Sequence, residues 1–306
     1  MKKIIITTTI NSPTEAIQKF QGMPGWELVV IGDLETPKDF KLSHGIYVTP
    51  KMQEEYDKEL SDAIGWNCVQ RRNFGLLWAH DMKADIVALI DDDNIPFENW
   101  GKNLMIGKET EVNYYETTLP AFDPVGATNH NHLWHRGYPL QLISKRDYSI
   151  CRNKKITPDV QAEFWNGDPD IDAICRMEYA PDCKFENKYF PMASNKLSPF
   201  NSQNTFISSK ILKDYFLFPH IGRMDDVWAS YYVQAKGCKV IYGEASVHQV
   251  RNVHDIVSDM KMEYLGYENN LNIVNELVID AESLMKHLPE RSKLAFELYK
   301  RHFNKI

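Results

Sequence analysis

This chain of 306 residues is 43% hydrophobic and 25% charged, a globular composition with enough length for one large α/β domain or two smaller ones. Its formal net charge of −7 argues against a general nucleic-acid-binding protein, because such proteins need a basic surface. No segment resembles a signal peptide or approaches the roughly 18 apolar residues that span a bilayer, so we expect a soluble, cytoplasmic protein without a transmembrane segment.

Short apolar runs alternate with helical patterns in the first part of the chain. The runs predict strands over residues 3–10, 26–33, 45–48 and 86–90, and the patterns between them predict helices over 14–21 and 57–80. Strands that alternate with helices form right-handed βαβ units. The sequence therefore predicts an α/β fold, a Rossmann-like mixed, mostly parallel sheet flanked by helices.

The middle of the chain, from about residue 100 to 199, is rich in Pro, Asn, Asp and aromatic residues and predicts long loops and short antiparallel strands that shape a site. Beyond it, the pattern predicts strands over 204–208 and 239–242, a helix over 225–235, and helices from about 254 with breaks near Gly266 and Pro289. We therefore divide the chain into a catalytic domain, residues 1–255, and a helical C-terminal extension, residues 256–306.

Three consecutive carboxylates, Asp91, Asp92 and Asp93, directly follow the apolar run at 86–90. Ligands bind at the carboxyl ends of the strands in such a sheet, and three adjacent acids there need a cation to offset their repulsion. Because Mg²⁺ and Mn²⁺ prefer carboxylate oxygens and also hold substrate phosphates, we predict a metal site at Asp91 and Asp93, completed by His248. The alternative interpretation is an acidic turn that follows a strand.

Polar residues at the ends of the other predicted strands extend this site. Thr8 and Thr9 end the first strand and Asp33 ends the second, positions that usually contact the nucleotide. Neighbouring helix residues point in different directions, so only one of Arg71 and Arg72 can face the site, and we assign Arg71 to the diphosphate. The alternative for this arginine is a surface salt bridge. The predicted nucleotide-binding residues are Thr8, Thr9, Asp33, Arg71, Asn73, Asp91, Asp92 and Arg251.

A second acidic pair, Asp225 and Asp226, lies at the predicted start of the helix over 225–235. One interpretation is structural, because carboxylates bind the free N–H groups at the start of a helix. The functional interpretation makes Asp226 the general base for an acceptor hydroxyl, or the support of an oxocarbenium-like state if configuration is retained, with Asp225 beside it. Arg223 then pairs with phosphate or with these acids.

Two segments in the middle of the chain predict a sugar site. Arg136 lies in one of them, and Trp165, Asp168, Asp170 and Asp172 lie together in the other. An aromatic ring that stacks on a sugar, beside carboxylates that accept hydrogen bonds from its hydroxyl groups, is typical of carbohydrate sites. The alternative is an Asp-rich turn whose side chains cap their own backbone.

Taken in order, several of these segments resemble the reversibly glycosylated polypeptides, the UDP-arabinopyranose mutases of plants. The matching segments are Asp91-Asp92-Asp93, Arg136-Gly137-Tyr138-Pro139, Trp165 with Pro169-Asp170-Ile171-Asp172-Ala173, and Arg223-Met224-Asp225-Asp226-Val227-Trp228-Ala229. The resemblance implies a GT-A fold in which Asp91 and Asp93 bind metal, ribose and diphosphate, and Asp225 or Asp226 lines the reacting centre. It also implies that Arg223 matches the arginine that becomes glycosylated in that family.

The chain also resembles the glycosyltransferase-like domain of the STELLO proteins, which implies the same fold. The matching segments are Gly25-Trp26 through Gly32-Asp33 with Thr36-Pro37-Lys38-Asp39, Pro199-Phe200-Asn201-Ser202-Gln203-Asn204-Thr205, and Arg251-Asn252-Val253-His254-Asp255. We count Asn204 among the substrate-binding residues. Residues from about 260 to 306 lie outside both resemblances.

These observations predict a metal-dependent glycosyltransferase that uses Mn²⁺ or Mg²⁺. It would move a sugar from a nucleotide-sugar donor, a UDP-sugar above others, to a glycan or other hydroxyl acceptor in polysaccharide biosynthesis. Two alternatives stay open. One is a nucleotide-sugar mutase that interconverts ring forms without an acceptor, and the other is a non-catalytic nucleotide-sugar-binding protein.

Basic residues are frequent near the C-terminus: Lys286, His287, Arg291, Lys293, Lys300, Arg301 and His302. One interpretation is peripheral contact with a membrane surface, or with another subunit in a homo-oligomer. We favour the other interpretation, an exposed and solvated helix face.

Overall fold

The computed structural model describes residues 1–250 and 255–304 as a sheet flanked by helices. The strands are β1 (Lys3–Thr9), β2 (Glu27–Gly32), β3 (Ile46–Val48), β4 (Ile86–Ile90), β5 (Asn94–Pro96), β6 (Thr110–Tyr115), β7 (Cys151–Ile156), β8 (Val160–Gly167), β9 (Met192–Ser194), β10 (Asn204–Ser208) and β11 (Val240–Gln249). The α-helices are α1 (Glu15–Gln21), α2 (Pro50–Tyr56), α3 (Lys58–Ile64), α4 (Arg72–Asp81), α5 (Ala173–Tyr179), α6 (Asp225–Ala235), α7 (Ile256–Leu277) and α8 (Glu290–Arg301).

The strands form one mixed sheet in the order β3-β2-β1-β4-β10-β8-β11-β9-β6-β7, and β5 pairs with β11. The first four strands in this order are parallel to one another, and β8 is parallel to β11. β10 is antiparallel to both of its neighbours, β4 and β8. The predicted mixed sheet with flanking helices and a helical C-terminal region is confirmed. Because β10 is reversed, its first residue lies at the same edge of the sheet as the carboxyl ends of β4, β8 and β11.

Strand β4 shows why part of the fold can be read from the sequence. All five of its residues are buried, because the strand lies in the interior of the sheet and both of its faces are covered. A strand of this kind has no polar face, so it forms a short and uninterrupted apolar run. The run stops at Asp91, where the chain leaves the sheet at its carboxyl edge.

Residues 57–80, predicted to be largely helical, form two α-helices, α3 and α4, with a break between them. Helix α3 ends at Gly65, whose φ of +85° is a conformation that glycine adopts at little cost. A loop and a short 3-10 turn, Val69–Arg71, then lead into α4. The apolar residues keep a helix-like spacing because α3 and α4 bury their sides against the same core.

Helix α7 continues through Gly266, where a break was predicted. A Cβ atom at this position would lie 2.3 Å from Sδ of Met224, so the glycine allows α7 to pack closely on the turn before α6. The break predicted near Pro289 is confirmed, because α8 begins at the next residue.

The two C-terminal helices share their hydrophobic core with the rest of the protein. Ile273 of α7 and Phe296 and Tyr299 of α8 belong to the same buried cluster as the strands of the sheet. The division of the chain at residue 255 stays a prediction. In the part of the chain that the structure describes, no helix has the length and apolarity that a membrane span requires.

Gly137 allows the loop in which it lies to pack closely on helix α6. Its φ is +86°, and a Cβ atom there would lie 2.2 Å from Cγ1 of Val227. We expect Gly137→Ala to lower the free energy of unfolding by about 3 kcal/mol, because backbone strain and overpacking add. Urea denaturation of the purified variant measures this change.

Gly107→Ala is the matched control. Gly107 has a similar φ of +72°, but no atom lies within 4 Å of the position that its Cβ would take. This variant should lose only about 1 kcal/mol, the strain part of the effect. Equal losses in the two variants would show that contact with Val227 is unimportant.

Candidate active site

A cavity of about 440 Å³ lies at the edge of the sheet that holds the carboxyl ends of β4, β8 and β11. Its walls come from these strand ends, from the loop before α4, from the turn before α6 and from α7. The predicted site residues that line it are Asp91, Asp93, Arg136, Asp170, Arg223, Asp225 and Asp226. Segments that are far apart in the chain therefore meet at the predicted edge.

Asp91 is held in place by an arginine of α4. Its Oδ1 atom accepts a hydrogen bond from Nη2 of Arg72 at 2.8 Å. Nη1 of Arg72 donates to the carbonyl and the hydroxyl oxygen of Ser202, at 2.6 and 2.9 Å, and Nη2 lies 3.4 Å from the hydroxyl of Thr8. Burial raises the pKa of Asp91, and Arg72 opposes that change. Thr8 therefore connects to the site only through Arg72 among the contacts described.

Arg71, the arginine assigned to the diphosphate, lies away from the cavity. It is fully buried, with Nε donating to Gln53 at 2.8 Å and Nη1 donating to the carbonyl of Ser61 at 3.2 Å. Its guanidinium also stacks on Trp66, 3.6 Å from the ring centroid, and burial lowers the pKa of Arg71 to about 10. The structure thus places Arg72, and not Arg71, at the strand end beside Asp91, because successive residues here point about 100° apart and only one can face it.

The three acids after β4 point in different directions. Asp93 lines the cavity together with Asp91. Asp92 instead faces the loop between β1 and α1, where its Oδ2 atom accepts hydrogen bonds from Thr9 at 2.5 Å and from Asn11 at 3.2 Å. Thr9 and Asp92, both predicted to bind the nucleotide, therefore join two loops to each other.

Asp91 and Asp93 are the residues that could hold a metal ion. Mg²⁺ and Mn²⁺ are commonly bound by one or two carboxylates together with substrate phosphates, and this pair fits that pattern. Within residues 1–250 and 255–304, no group of three His, Cys, Asp or Glu side chains is arranged to hold a metal. The residues present therefore fit an ion that binds together with a diphosphate.

His248, the predicted third metal ligand, lies outside the cavity lining. It is exposed on β11, whereas the next residue, Gln249, is buried and lines the cavity. Successive side chains of a strand point to opposite faces, so only one of the two can face the site. This corrects the prediction for His248. The predicted nucleotide ligand Arg251 lies outside the described residues.

Asp225 and Asp226 both line the cavity, but their surroundings differ. Oδ2 of Asp226 accepts hydrogen bonds from the backbone N–H of Ser202 at 2.9 Å and from Nη2 of Arg136 at 3.2 Å. Oδ2 of Asp225 accepts from the side-chain amide of Gln70 at 2.8 Å. Burial, and then the charge of Asp226, raises the pKa of Asp225 to about 7. One carboxylate is thus paired with a cation, and its neighbour titrates near neutral pH.

Arg136 joins this acidic pair to Asp170. Its Nε and Nη2 atoms each donate to Asp170 at 2.9 Å, and Nη1 lies 3.1 Å from Oδ1 of Asp226. Nη1 also donates to the carbonyl of Arg223. Burial alone would lower the pKa of Arg136, but the charges of Asp170 and Asp226 raise it above its usual value. Arg136 and Asp170 therefore hold one wall of the cavity through a buried ion network.

Arg223 is held by the C-terminal helix α7. Its Nε donates to Oε1 of Glu263 at 2.8 Å, and its Nη1 lies 3.5 Å from Asp259. Glu263 is 1% exposed, and its Oε2 accepts from the Tyr267 hydroxyl at 2.5 Å and from the backbone N–H of Ala173 at 2.7 Å. A helix outside both family resemblances therefore supplies part of the site.

Three other predicted residues are buried behind the cavity. Asp33 accepts hydrogen bonds from the backbone N–H groups of Asn67 and Cys68, at 2.8 and 3.1 Å, and so fixes a loop that lines the cavity. Asn73 exchanges two hydrogen bonds with the backbone before α6. Asn204 joins β10 to an indole N–H and to the backbone of β8. The structure gives these residues supporting positions.

The predicted sugar-binding segment does not stay together in the fold. Asp170 lines the cavity, but Trp165 is 2% exposed and packs among other aromatic rings, so its face is closed to a sugar. Asp168 pairs with an arginine of α5. Asp172 is the N-cap of α5, and burial raises its pKa to about 7. For Asp172 the structural alternative, a side chain that caps its own backbone, describes what is found.

Several residues that line the cavity were not among the predicted site residues. They are Asn67, Gln70, Ser202, Gln203, His220 and Gln249. Ser202 and Gln203 lie in a segment that matches the STELLO proteins, so a signal for them was present. Asn67 and His220 have φ values of +56° and +67°, a conformation that is rare for residues with a side chain and concentrates at functional sites. Their backbone conformation depends on tertiary contacts and leaves no local pattern.

No protein-family model matches the chain. Two curated proteins of Arabidopsis thaliana are similar to it: Probable glycosyltransferase STELLO2, 22% identical over 256 residues, and Probable glycosyltransferase STELLO1, 24% identical over 256 residues. Each alignment covers 76% of this chain and 33% of the relative, so the chain spans about a third of the length of these proteins. The predicted resemblance to the STELLO proteins is confirmed, and the resemblance to the reversibly glycosylated polypeptides stays a prediction.

Crystal structures of glucosyl-3-phosphoglycerate synthase from Mycobacterium tuberculosis also align with the chain. The complex with Mn²⁺, UDP-glucose and phosphoglyceric acid aligns with a TM-score of 0.47 and 11% identity, over 90% of this chain and 80% of that chain. The complex with UDP aligns with a TM-score of 0.46 and 12% identity over the same shares.

The contact between α7 and Arg223 can be tested by removing one charge. We expect Glu263→Gln to lower the free energy of unfolding by about 2 kcal/mol, because a buried carboxylate with several hydrogen bonds loses its charge-assisted contacts. Urea denaturation gives the value. Glu268→Gln, an exposed position on the same helix, is the control and should change stability by less than about 0.5 kcal/mol. Equal effects at the two positions would contradict the role given to Glu263.

Proposed function

We propose that this protein is a glycosyltransferase that binds a nucleotide-sugar in the cavity at the carboxyl edge of the sheet and transfers the sugar to a hydroxyl acceptor. The observation that carries the proposal is the meeting of Asp91 and Asp93 with Asp225 and Asp226 in one cavity of about 440 Å³. This edge is where open α/β sheets bind nucleotides, and the volume suits a small molecule. Similarity to two probable glycosyltransferases supports the proposal.

Asp91 and Asp93 form the donor end of the proposed site. The 2.8 Å ion pair with Arg72 orients the carboxylate of Asp91 before the donor arrives, so less order has to be created on binding. A Mn²⁺ or Mg²⁺ ion bound there would neutralise the charge that develops on the departing diphosphate. A UDP-sugar is the proposed donor, because the resemblance to UDP-arabinopyranose mutases implies that class.

Asp225 is better placed than Asp226 to take the proton of the acceptor. A general base works best when its pKa lies near the working pH and when no cation neutralises it. Asp226 is paired with Arg136 at 3.1 Å, whereas Asp225 accepts from the uncharged amide of Gln70 and has a pKa of about 7. In this proposal the acceptor hydroxyl loses its proton to Asp225 as its oxygen attacks the anomeric carbon and the bond to the diphosphate breaks.

Arg223 presents a guanidinium group to the same cavity. Two carboxylates of α7 hold its Nε and Nη1, so the guanidinium is oriented by contacts outside the substrate and its charge is offset by them. In this position its N–H groups would donate hydrogen bonds to the donor diphosphate. Arg136 is already shared between Asp170 and Asp226, and we propose that it positions those acids.

Donor binding is expected to stabilise the folded protein. A UDP-sugar present at 100 times its Kd would add about 2.7 kcal/mol to stability and raise the Tm. We expect Asp91→Asn and Asp93→Asn to remove the part of the Tm increase that depends on Mn²⁺, because an amide cannot replace the charge of the carboxylate. A thermal-shift panel of nucleotide sugars, with and without Mn²⁺, measures the effect.

Asp92→Asn is the matched control for this experiment. The Asp92 carboxylate bonds to Thr9 and Asn11 on the far side of the triplet, so this variant should keep the Mn²⁺-dependent increase in Tm. A full increase in Asp91→Asn and Asp93→Asn would eliminate the proposed donor site. An equal loss in all three variants would indicate a general effect of the acidic triplet.

The pH dependence of turnover tests the assignment of the base. Because Asp225 acts only when deprotonated, kcat/KM should rise about tenfold per pH unit below its pKa of about 7 and level off above it. Asp225→Asn should remove this rise and lower kcat about 10²- to 10⁴-fold. Initial rates across the pH range, with donor and acceptor supplied, give both quantities.

Gln70→Leu is a second variant for the same question. The amide of Gln70 stabilises the charged form of Asp225, so its loss should move the midpoint of the pH profile upward. An unchanged midpoint in Gln70→Leu, or retained turnover in Asp225→Asn, would contradict the assignment.

Product analysis separates the three possible activities. Transfer that requires a hydroxyl acceptor would support the glycosyltransferase. Ring isomers formed from a UDP-sugar alone would identify a mutase, and a sugar attached to Arg223 would appear in the intact mass. Tight donor binding without turnover for any donor–acceptor pair would contradict a catalytic function.

A further inference from the structure

A second cavity, of about 500 Å³, lies at the opposite edge of the sheet from the proposed active site. Val240, the first residue of β11, lines the second cavity, and Gln249, the last residue of the same strand, lines the first. A strand rises roughly 3.3 Å per residue, so the ten residues of β11 separate the two cavities by about 30 Å. The second cavity is therefore a separate place on the molecule.

Four lysines line this second cavity, which we call the lysine cavity: Lys154, Lys155, Lys196 and Lys239. They come from three segments of the chain, namely β7, the loop after β9 and the residue before β11. Lys155 pairs with Glu109 at 3.1 Å, and the other three have no ion pair among the residues described. Three lysines without a described ion pair thus line one cavity in a protein with a net charge of −7, so the charge of this lining is opposite in sign to that of the whole molecule.

Contacts hold the side chain of one of these lysines and the backbone of another. The ammonium group of Lys154 lies 4.0 Å from the ring centroid of Tyr114. Lys239 exchanges two backbone hydrogen bonds with Asp159, its N–H donating to the carboxylate at 3.0 Å and its carbonyl accepting at 2.8 Å. Like charges held together repel one another, and an anion that accepts from several ammonium groups at once removes this repulsion.

Exposed apolar residues near the lysine cavity indicate that its ligand also has an apolar part. Val278 lines the cavity and is 66% exposed, and the adjacent Ile279 is 88% exposed. The lining therefore combines lysines with one exposed apolar side chain, and a second exposed apolar residue follows it in the chain.

We propose that the lysine cavity binds the phosphate group of a ligand. The phosphate would accept from Lys154, Lys196 and Lys239. Either a free phosphate compound or the headgroup of a membrane lipid supplies this chemistry, and the exposed apolar residues would contact the chains of a lipid. Lysines on an edge strand such as β7 also prevent aggregation, which would explain Lys154 and Lys155 but neither Lys196 nor Lys239.

The test compares two triple variants with the same change in charge. One is Lys154→Gln, Lys196→Gln and Lys239→Gln, and the control is Lys38→Gln, Lys41→Gln and Lys145→Gln at exposed positions outside the cavity. Inorganic pyrophosphate is titrated by calorimetry in the presence of EDTA, which removes the metal that the active-site acids would need. Vesicles of phosphatidylglycerol and phosphatidylcholine, and of phosphatidylcholine alone, are tested by co-sedimentation.

We expect the wild type to bind at least one anionic probe and the cavity variant to bind it at least tenfold more weakly, with the control within about twofold of the wild type. Loss of pyrophosphate binding in the cavity variant would assign the site to soluble phosphates. Loss of binding confined to the anionic vesicles would assign it to a lipid headgroup. Absence of binding to both probes, equal effects in both triple variants, or unchanged affinity in the cavity variant would overturn the proposal.

Discussion

The pairing of buried carboxylates with guanidinium groups at one edge of the sheet is the constraint on which the site depends. A buried carboxylate without a partner costs several kcal/mol, so each acid of the cavity has to be matched by a cation or by hydrogen bonds. Arg72 serves Asp91, and Arg136 serves Asp170 and Asp226. Each arginine also donates to a backbone carbonyl of another segment, and therefore the groups that balance the charge also hold the walls together. Asp91, proposed for donor binding, is thus oriented before any substrate is present, whereas Asp225, proposed for proton transfer, is held by the amide of Gln70.

The sequence predicts the structure well wherever one physical rule decides the outcome. The strand over 86–90 was readable because only a doubly covered strand is so short and so apolar. The choice between Arg71 and Arg72 could not be predicted from the sequence. Which of the two faces the strand end depends on how α4 is oriented, and that follows from the break between α3 and α4 that begins at Gly65. Trp165 was misassigned for a related reason: an indole ring packs in a core as readily as it stacks on a sugar, and its burial is decided by residues from other strands. Residue type alone does not distinguish these environments.

The contribution of the C-terminal helix α7 to the site could not be predicted from the sequence either. Residues after about 256 carried no motif, and a glutamate in an amphipathic helix normally faces water. Glu263 is instead buried, because Arg223, 40 residues earlier in the chain, reaches it across the turn before α6. Two glycines allow this close packing, because a Cβ atom at Gly266 would lie 2.3 Å from Sδ of Met224 and one at Gly222 would lie 2.0 Å from the backbone carbonyl oxygen of Met262 in α7. The cavity therefore has a wall from α7, a helix whose sequence carries no motif.

The reversed strand β10 has a consequence for how the protein is made. It fills the gap between β4 and β8, yet it is encoded long after β4 has left the ribosome. During that interval the nascent chain holds a completely apolar strand whose backbone N–H and C=O groups on one side have no partner. Such an open edge readily pairs with other chains, so residues 204–208 protect the protein against association when they pair with β4.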